Sequence, residues 1–218
     1  MPQAIIFDVE ATDKKDAVII EAASLDVSSI NPLVVGNPWV QRYNPGKPIS
    51  LGALATHHIM DEELVNCPAS SSFRLPAGTK YLIGHSVDFD WEAIGSPEVR
   101  RICTLALSRS LWPEIDSHTQ SALLYFFERT TAREQLREAH SALADVWICS
   151  KILGQIIAKL RPTSLDALWE MSEKARIPTI MPFGKHKGEL ISQLPVDYKR
   201  WALRLDNITG YLRKALEI

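Results

Sequence analysis

A mixed α/β domain with a small, more basic helical appendage is the architecture this sequence predicts. Three observations carry it. Apolar runs at residues 4–9, 17–27 and 38–43 are separated by polar or Gly/Pro-containing breaks, strand and helix patterns alternate from Tyr81 onward, and a Pro-bearing break falls near residue 160. At 218 residues and 46% hydrophobic content, the chain can fill one moderate core and a smaller added piece.

The first strand is predicted over Ala4 to Val9, the second over Ala17 to Val27 and the third over Pro38 to Tyr43, together an antiparallel meander. Ser50 to Thr56 and Asp61 to Asn66 read as short helices, followed by a Pro/Ser-rich break and a strand at Tyr81 to Gly84. Ser117 to Arg129 and Ser141 to Leu160 repeat apolar residues at intervals of three and four, which predicts two helices. Their buried faces are expected at Leu123, Leu124 and Phe127, and at Ala144, Trp147, Ile148 and Ile152. Arg161-Pro162-Thr163-Ser164 ends the second of these helices, and Ser164 caps a further one bearing Leu165, Leu168 and Trp169. The expected domains are therefore 1–160 and 161–218.

Charge and cysteine content narrow the function classes. A formal net charge of −2 gives no global basic signature, so nucleic-acid contact requires a local patch or bound cations. Residues 181–218 carry seven Lys or Arg against four Asp or Glu, a net of +3, leaving −5 for residues 1–180. Cys67, Cys103 and Cys149 are widely spaced, which indicates neither a disulfide framework nor a zinc ribbon and suits a reducing cytoplasm. The chain enters an apolar strand directly after Met1-Pro2-Gln3 and has no segment of 18 uncharged apolar residues, so a soluble, unexported protein without membrane contact is expected.

The chemistry starts at Asp8-Val9-Glu10. Strand side chains alternate, so Asp8 and Glu10 share one face while Phe7 and Val9 point to the other. Two carboxylates on one face repel one another, and a divalent cation is their natural occupant. Alone, such a pair is more often a solvated strand end. Further carboxylates follow in Gly84-His85-Ser86-Val87-Asp88-Phe89-Asp90 and in His140-Ser141-Ala142-Leu143-Ala144-Asp145. Five residues at 100° each put His140 and Asp145 about 140° apart on an ideal helix, so they cannot both face one site from a regular helix. Asp145 is therefore expected inside the helix and His140 on its entry loop.

Asp-x-Glu, then Asp, then His-x4-Asp resembles the DEDDh 3′-to-5′ exonuclease superfamily over roughly residues 4–155. The resemblance implies a ribonuclease H-like fold, its antiparallel N-terminal strands followed by parallel ones and flanked by helices. It implies that Asp8, Glu10, Asp90 and Asp145 hold two Mg²⁺ or Mn²⁺ ions and that His140 is the general base for the attacking water. Asp90 is preferred to Asp88 because the family pattern sets its Asp directly after an aromatic, here Phe89, and Asp88 is expected to cap the helix. The chain departs from the pattern at Ser86, where relatives often carry Asn. Thr56-His57-His58-Ile59-Met60-Asp61-Glu62 resembles the family's His-Gly-Ile-x-x-Glu segment, with His58 in place of Gly. His57 and Ile59 then either touch the terminal sugar or base or serve the helix entry. Ile102-Cys103-Thr104-Leu105-Ala106-Leu107 matches a Thr-Leu-x-Leu segment that its apolar spacing assigns to core packing.

Val9, Ala11 and Thr12 flank the acidic pair and are expected to receive a terminal nucleotide through backbone and hydroxyl groups. Phe183-Gly184-Lys185-His186-Lys187-Gly188 resembles the small C-terminal module of the exodeoxyribonuclease X type. There Lys185, Lys187 and the backbone N–H groups of a tight turn would approach phosphate. Tyr198 and Trp201, three apart on an expected helix, either stack on a base or fill a core. The function so implied is a metal-dependent 3′-to-5′ exodeoxyribonuclease acting on DNA 3′ ends. The alternatives are an exoribonuclease of the ribonuclease T or oligoribonuclease type, with RNA as substrate, and a non-catalytic nucleic-acid-binding module.

Overall fold

In a computed structural model, which describes residues 3–138 and 140–217, the expected mixed α/β architecture is present. The strands are β1 (Ala4–Ala11), β2 (Ile19–Ile30), β3 (Leu33–Arg42), β4 (Tyr81–Gly84) and β5 (Arg100–Cys103), in the spatial order β3-β2-β1-β4-β5. β1 pairs antiparallel with β2, and β2 with β3, while β4 runs parallel to both β1 and β5. The helices are α1 (Leu51–His57), α2 (Asp61–Leu64), α3 (Asp88–Ala93), α4 (Thr104–Leu111), α5 (Gln120–Gln135), α6 (Ala142–Leu160), α7 (Leu165–Ala175), α8 (Val196–Ala202) and α9 (Gly210–Glu217).

The period of two along β1 divides the core. Ala4 and Ile6 join Ala23, Leu25 and Ile83 in a cluster covered by Ile148, Ile152 and Ile156 of α6. Ile5, Phe7 and Val9 enter the opposite layer with Leu82, Val87 and Phe73. The face that turns Ala4 and Ile6 toward α6 continues through Asp8 and Glu10, so where the apolar run ends the carboxylates meet the beginning of that helix. Gly84 closes β4 against β1: a Cβ there would stand 3.1 Å from both the Phe7 carbonyl oxygen and Val87 Cγ2.

Some elements depart from the sequence pattern. β3 begins at Leu33 rather than Pro38, because an edge strand tolerates a proline that a central one cannot. Asn37, just before it, takes φ 48°, and the pairing with β2 is irregular between Ser24 and Asp26. α5 continues past Arg129 to Gln135 through a kink at Glu128 (φ −132°, ψ 48°), whose carboxylate accepts from Gln135 Nε2 at 2.9 Å and Lys151 Nζ at 2.8 Å. Trp147, expected in the buried face of α6, is 41% exposed. The buried stripe runs instead through Val146, Ile148, Cys149 and Ile152.

α7 belongs physically to the main core. Leu168 is buried in the α6 cluster, and the Ser172 hydroxyl accepts from the Cys103 N–H at 2.8 Å at the end of β5. Beyond it, Met181, Ile191, Leu194, Ala202, Leu212, Ala215 and Leu216 form a separate small core. No helix among the described residues is long and apolar enough to cross a membrane.

Candidate active site

Asp8, Glu10 and Asp145 converge. One carboxylate oxygen of each lies within 4.8 Å of the others, and all three residues are half-buried. Asp8 and Glu10 come from alternate positions of β1, and Asp145 from the first turn of α6. The α6 N-cap is Ser141, whose hydroxyl accepts from the Ala144 N–H at 3.3 Å, so Asp145 is helical and His140 lies outside. His140 takes φ 69° on the exposed turn before the helix, and its backbone N–H donates to the Asp145 carboxylate. The 140° conflict between these residues is resolved by ending the helix between them.

Asp90 lies outside that trio but is near enough to act on the Asp8 carboxylate; it is the most enclosed of the four, 4% exposed, with Oδ1 accepting from the Val9 N–H at 3.1 Å. It sits in the first turn of α3. Ser86 in the preceding loop takes φ 70°, in the left-handed region that Asn, the family's residue there, adopts more readily. His85 braces this loop, its Nδ1 2.9 Å from Thr104 Oγ1 and its Nε2 2.8 Å from the His118 carbonyl oxygen. Burial lowers its pKa to about 4, which keeps the imidazole neutral. A neutral ring donates from Nε2 to that carbonyl and accepts at Nδ1, a tautomer assigned from its partners.

Burial and mutual repulsion push these carboxylates in one direction. Glu10 is raised to about 8, by burial first and then by Asp145, Glu21 and Asp90. Asp90 is raised to about 7, mainly by burial, against the lowering effect of the Val9 N–H. Burial followed by Asp90, Asp145 and Glu10 holds Asp8 well above the usual carboxylate range. Asp145 is also raised by burial, with His140 acting against the shift. An all-oxygen set whose charges oppose one another fits a hard divalent cation, which removes the cause of the repulsion.

Glu21 was missed from sequence. It lies opposite Glu10 in the β1–β2 register and is buried. Its Oε1 accepts from the Ala142 N–H at 3.1 Å, and its Oε2 pairs with Arg42 Nε at 3.0 Å. Arg42 Nη1 also reaches Glu63 Oε1 at 2.8 Å. Glu21 thus ties β2 to the start of α6, two residues beyond His140. The available signal was one acid inside the apolar run Ile19 to Leu25, where an unpaired charge is costly.

The expected substrate contacts divide. Val9 keeps its backbone beside the site, but its N–H is taken by Asp90. Ala11 and Thr12 are buried, and Thr12 Oγ1 accepts from the Val18 N–H at 3.3 Å, so the hydroxyl expected to meet a nucleotide is turned into its own loop. Ile59, 3% exposed, packs with Ile20, Ile49 and Leu64, the helix-entry alternative of its two expected roles. His57 is buried beside Ala11, its Nδ1 accepting from the Ile59 N–H at 3.0 Å. Burial lowers its pKa, against the raising effect of the Ala11 backbone. His58 caps α1 at φ 59°, the left-handed conformation for which the family pattern uses Gly. Asp88 caps nothing: the α3 N-cap is Val87, and Asp88 instead pairs with Arg101 and Arg176.

In the C-terminal module, Lys185 and Lys187 are exposed on a turn allowed by Gly184 (φ 74°), where a Cβ would stand 2.4 Å from Tyr198 Oη. Two of the turn's N–H groups are spent internally, Lys187 N–H on the Gly184 carbonyl at 3.2 Å and Gly188 N–H on the Met181 carbonyl at 2.9 Å. Tyr198 packs between His186 (ring centroids 4.4 Å apart) and Trp201 (5.0 Å), with Trp201 on the surface.

The raised carboxylates set a pH dependence. A group whose pKa is higher folded than unfolded stabilises the fold below its unfolded pKa, and that contribution is lost as pH rises through the folded value. Metal-free protein is therefore expected to lose melting temperature from about pH 4 to about pH 8. Glu10→Gln should flatten the decline and saturating Mn²⁺ should remove it. Thermal melts in chelator and in Mn²⁺ across that range check this, and a metal-free melting temperature that rises throughout would contradict the assignment.

Comparison with known proteins agrees with this geometry. A protein family described as a putative quorum-sensing-regulated virulence factor matches residues 173–217. Exodeoxyribonuclease 10 of Escherichia coli (strain K12) is 28% identical over 205 residues, covering 91% of this chain and 90% of that protein. Among solved structures, exonuclease X in complex with 5′ overhanging duplex DNA superposes with a TM-score of 0.65 at 25% identity, over 78% of this chain and 99% of that one. The nuclease domain of 3′hExo, a DEDDh family member bound to rAMP, shares the fold with a TM-score of 0.56 at 13% identity, over 72% of this chain and 92% of that one. The chain is a homologue of exodeoxyribonuclease 10 and has the ribonuclease H-like fold of the DEDDh exonucleases.

Proposed function

We propose that this protein is a metal-dependent 3′-to-5′ exodeoxyribonuclease that releases 5′-mononucleotides from DNA 3′ ends. The observation that carries the reading is the convergence of Asp8, Glu10 and Asp145 oxygens within 4.8 Å, backed by the enclosed Asp90, in a homologue of a DNA exonuclease. Asp8, Glu10, Asp90 and Asp145 would hold two Mg²⁺ or Mn²⁺ ions. When bound, such ions lower the pKa of a coordinated water and stabilise the departing 3′-oxygen.

The chain's own residues then divide the work. The four carboxylates would hold the cations in place, and through them the scissile phosphate. His140, exposed on its turn two residues from the Glu21 anchor, accepts the proton of the attacking water, as the entry turn carries the imidazole to the site. Asp90, 4% exposed, is kept from bulk water by the protein around it. Residues 1–160 carry the chemistry in this reading, and residues 161–218 contact the DNA through Lys185 and Lys187, with α7 as the joint. Three free thiols, Cys103 and Cys149 of them buried, favour a reducing cytoplasmic setting.

Digestion of 5′-labelled DNA with Mg²⁺, beside a matched RNA, tests the activity. A ladder shortening from the 3′ end of DNA is expected, abolished by chelator and by Asp8→Ala. His140→Gln should lower kcat about 10²–10⁴-fold. Equal turnover of the RNA would favour the exoribonuclease reading, and no metal-dependent product from either would favour a binding module. For the lysines, Lys185→Ala with Lys187→Ala is expected to weaken DNA binding across sequences and to reduce the slope of log affinity against log salt by about 2. An unchanged slope would remove them from the interface.

A further inference from the structure

We infer that Arg176 is a positioning residue that couples the C-terminal module to the helix bearing Asp90. Asp88 and Asp90 lie two residues apart in the first turn of α3, about 200° around the helix, so one faces the carboxylate site and the other faces away from it. The outward Asp88 is gripped from two directions. Arg101, its guanidinium 3.9 Å from the Trp91 ring centroid, pairs with Asp88 Oδ1 from β5. Arg176, at the C-terminal end of α7, brings Nη1 to the same oxygen at 3.2 Å.

Arg176 has the environment of a fixed joint. Its side chain is 4% exposed, whereas Asp88 is 44% exposed. The same Nη1 reaches Tyr211 Oη of α9 at 2.5 Å, and Tyr211 donates to Glu173 Oε1 at 2.8 Å. The chain of contacts therefore runs from α9 of the module through Tyr211 and Arg176 to Asp88, and through α3 to Asp90. Nε and Nη2 of Arg176 are buried without hydrogen-bond partners among the described residues. A buried guanidinium with unused donors contributes little net stability, since desolvation offsets the pair. What it supplies is a fixed direction. Two arginines on one oxygen prevent α3 from rolling about its axis, and that roll would carry Asp90 away from Asp8 and Asp145.

This inference rests on the metal-site reading above, and the experiment separates the two. Arg176→Met, Arg176→Lys, Asp88→Asn and the Arg176→Met/Asp88→Asn double variant are made in the full chain. For each, kcat and KM on single-stranded DNA are measured beside calorimetric Mn²⁺ affinity in the absence of DNA and the melting temperature. Arg176→Met and Asp88→Asn should each lower both kcat and Mn²⁺ affinity by about 10–100-fold, the range for residues that orient metal ligands, with KM changed less than about threefold. The double variant should be no worse than Asp88→Asn alone, because Asp88 is the shared end of the clamp and its loss already releases Arg176 along with Arg101. Arg176→Lys, which retains the charge, should recover part of the loss. If Arg176→Met does not fold, Asp88→Asn, altering a half-exposed side chain, carries the test. A lower melting temperature with kcat and Mn²⁺ affinity retained overturns the inference, as does a rise in KM alone. Wild-type protein that binds Mn²⁺ but digests no DNA would sink the proposed function instead, and the affinity comparison would still decide the role of Arg176.

Discussion

Repulsion among Asp8, Glu10, Asp90 and Asp145 is the interaction on which the rest of this structure turns. Each is brought in by an element held elsewhere: Asp8 and Glu10 by a strand whose apolar half is buried on both faces, Asp145 by a helix whose remaining turns cover that strand, and Asp90 by a helix fed from β4. None of those elements can retreat to relieve the repulsion without exposing core. The cost appears instead in the carboxyl groups, whose pKa values rise together, through burial first and then repulsion for Asp8, Glu10 and Asp90, and through burial for Asp145. A cation reverses the sign of that interaction, so the same packing that makes the metal-free site unfavourable makes it a receptor for charge.

Around this centre the fold invests in fixed positions. Glu21 holds the first residues of α6 to β2, a neutral His85 ties the loop before α3 to Thr104 and His118, and the paired arginines on Asp88 hold the outer side of α3. His140 differs. It lies on an exposed turn with a left-handed backbone, attached to a rigid helix at one end. In the proposed function the carboxylates stay fixed and His140 is the residue that approaches when substrate is present, the division that proton transfer beside a fixed phosphate requires. The C-terminal module is joined to this arrangement through α7, whose Leu168 and Ser172 lie in the main core while its final residue reaches toward α9.

Local signals in the sequence were good guides to the site. Period-two alternation set Asp8 and Glu10 on one face, Ser50, Ser141 and Ser164 cap the helices they precede, and helical geometry separated His140 from Asp145. What escaped depends on pairing between distant segments. Glu21 is opposite Glu10 only once the β1–β2 register exists, and Asp88 finds arginines 13 and 88 residues away, so a residue with the composition of a helix cap became part of a clamp. Thr12 follows the acidic pair in sequence and Ile59 lies in a segment that resembles one beside the site in relatives, yet side-chain direction and packing turned both inward. Trp147 failed for the opposite reason: its spacing suits a buried stripe one position away from the one α6 uses. Ser86 and His58 occupy left-handed positions where the family pattern has Asn and Gly, two residues that adopt that conformation readily.

Proton release on metal binding tests the central claim most directly, because carboxyl groups held partly protonated near neutrality must give up protons to a cation. Calorimetric titration of metal-free protein with Mn²⁺ at about pH 7, repeated in buffers of different ionisation enthalpy, measures that release. With Glu10 raised to about 8 and Asp90 to about 7, the account predicts about one proton or more released per site, falling in Glu10→Gln. Mn²⁺ binding with no proton release, or release unchanged in Glu10→Gln, would show that these carboxyl groups are not held partly protonated by their packing and their neighbours.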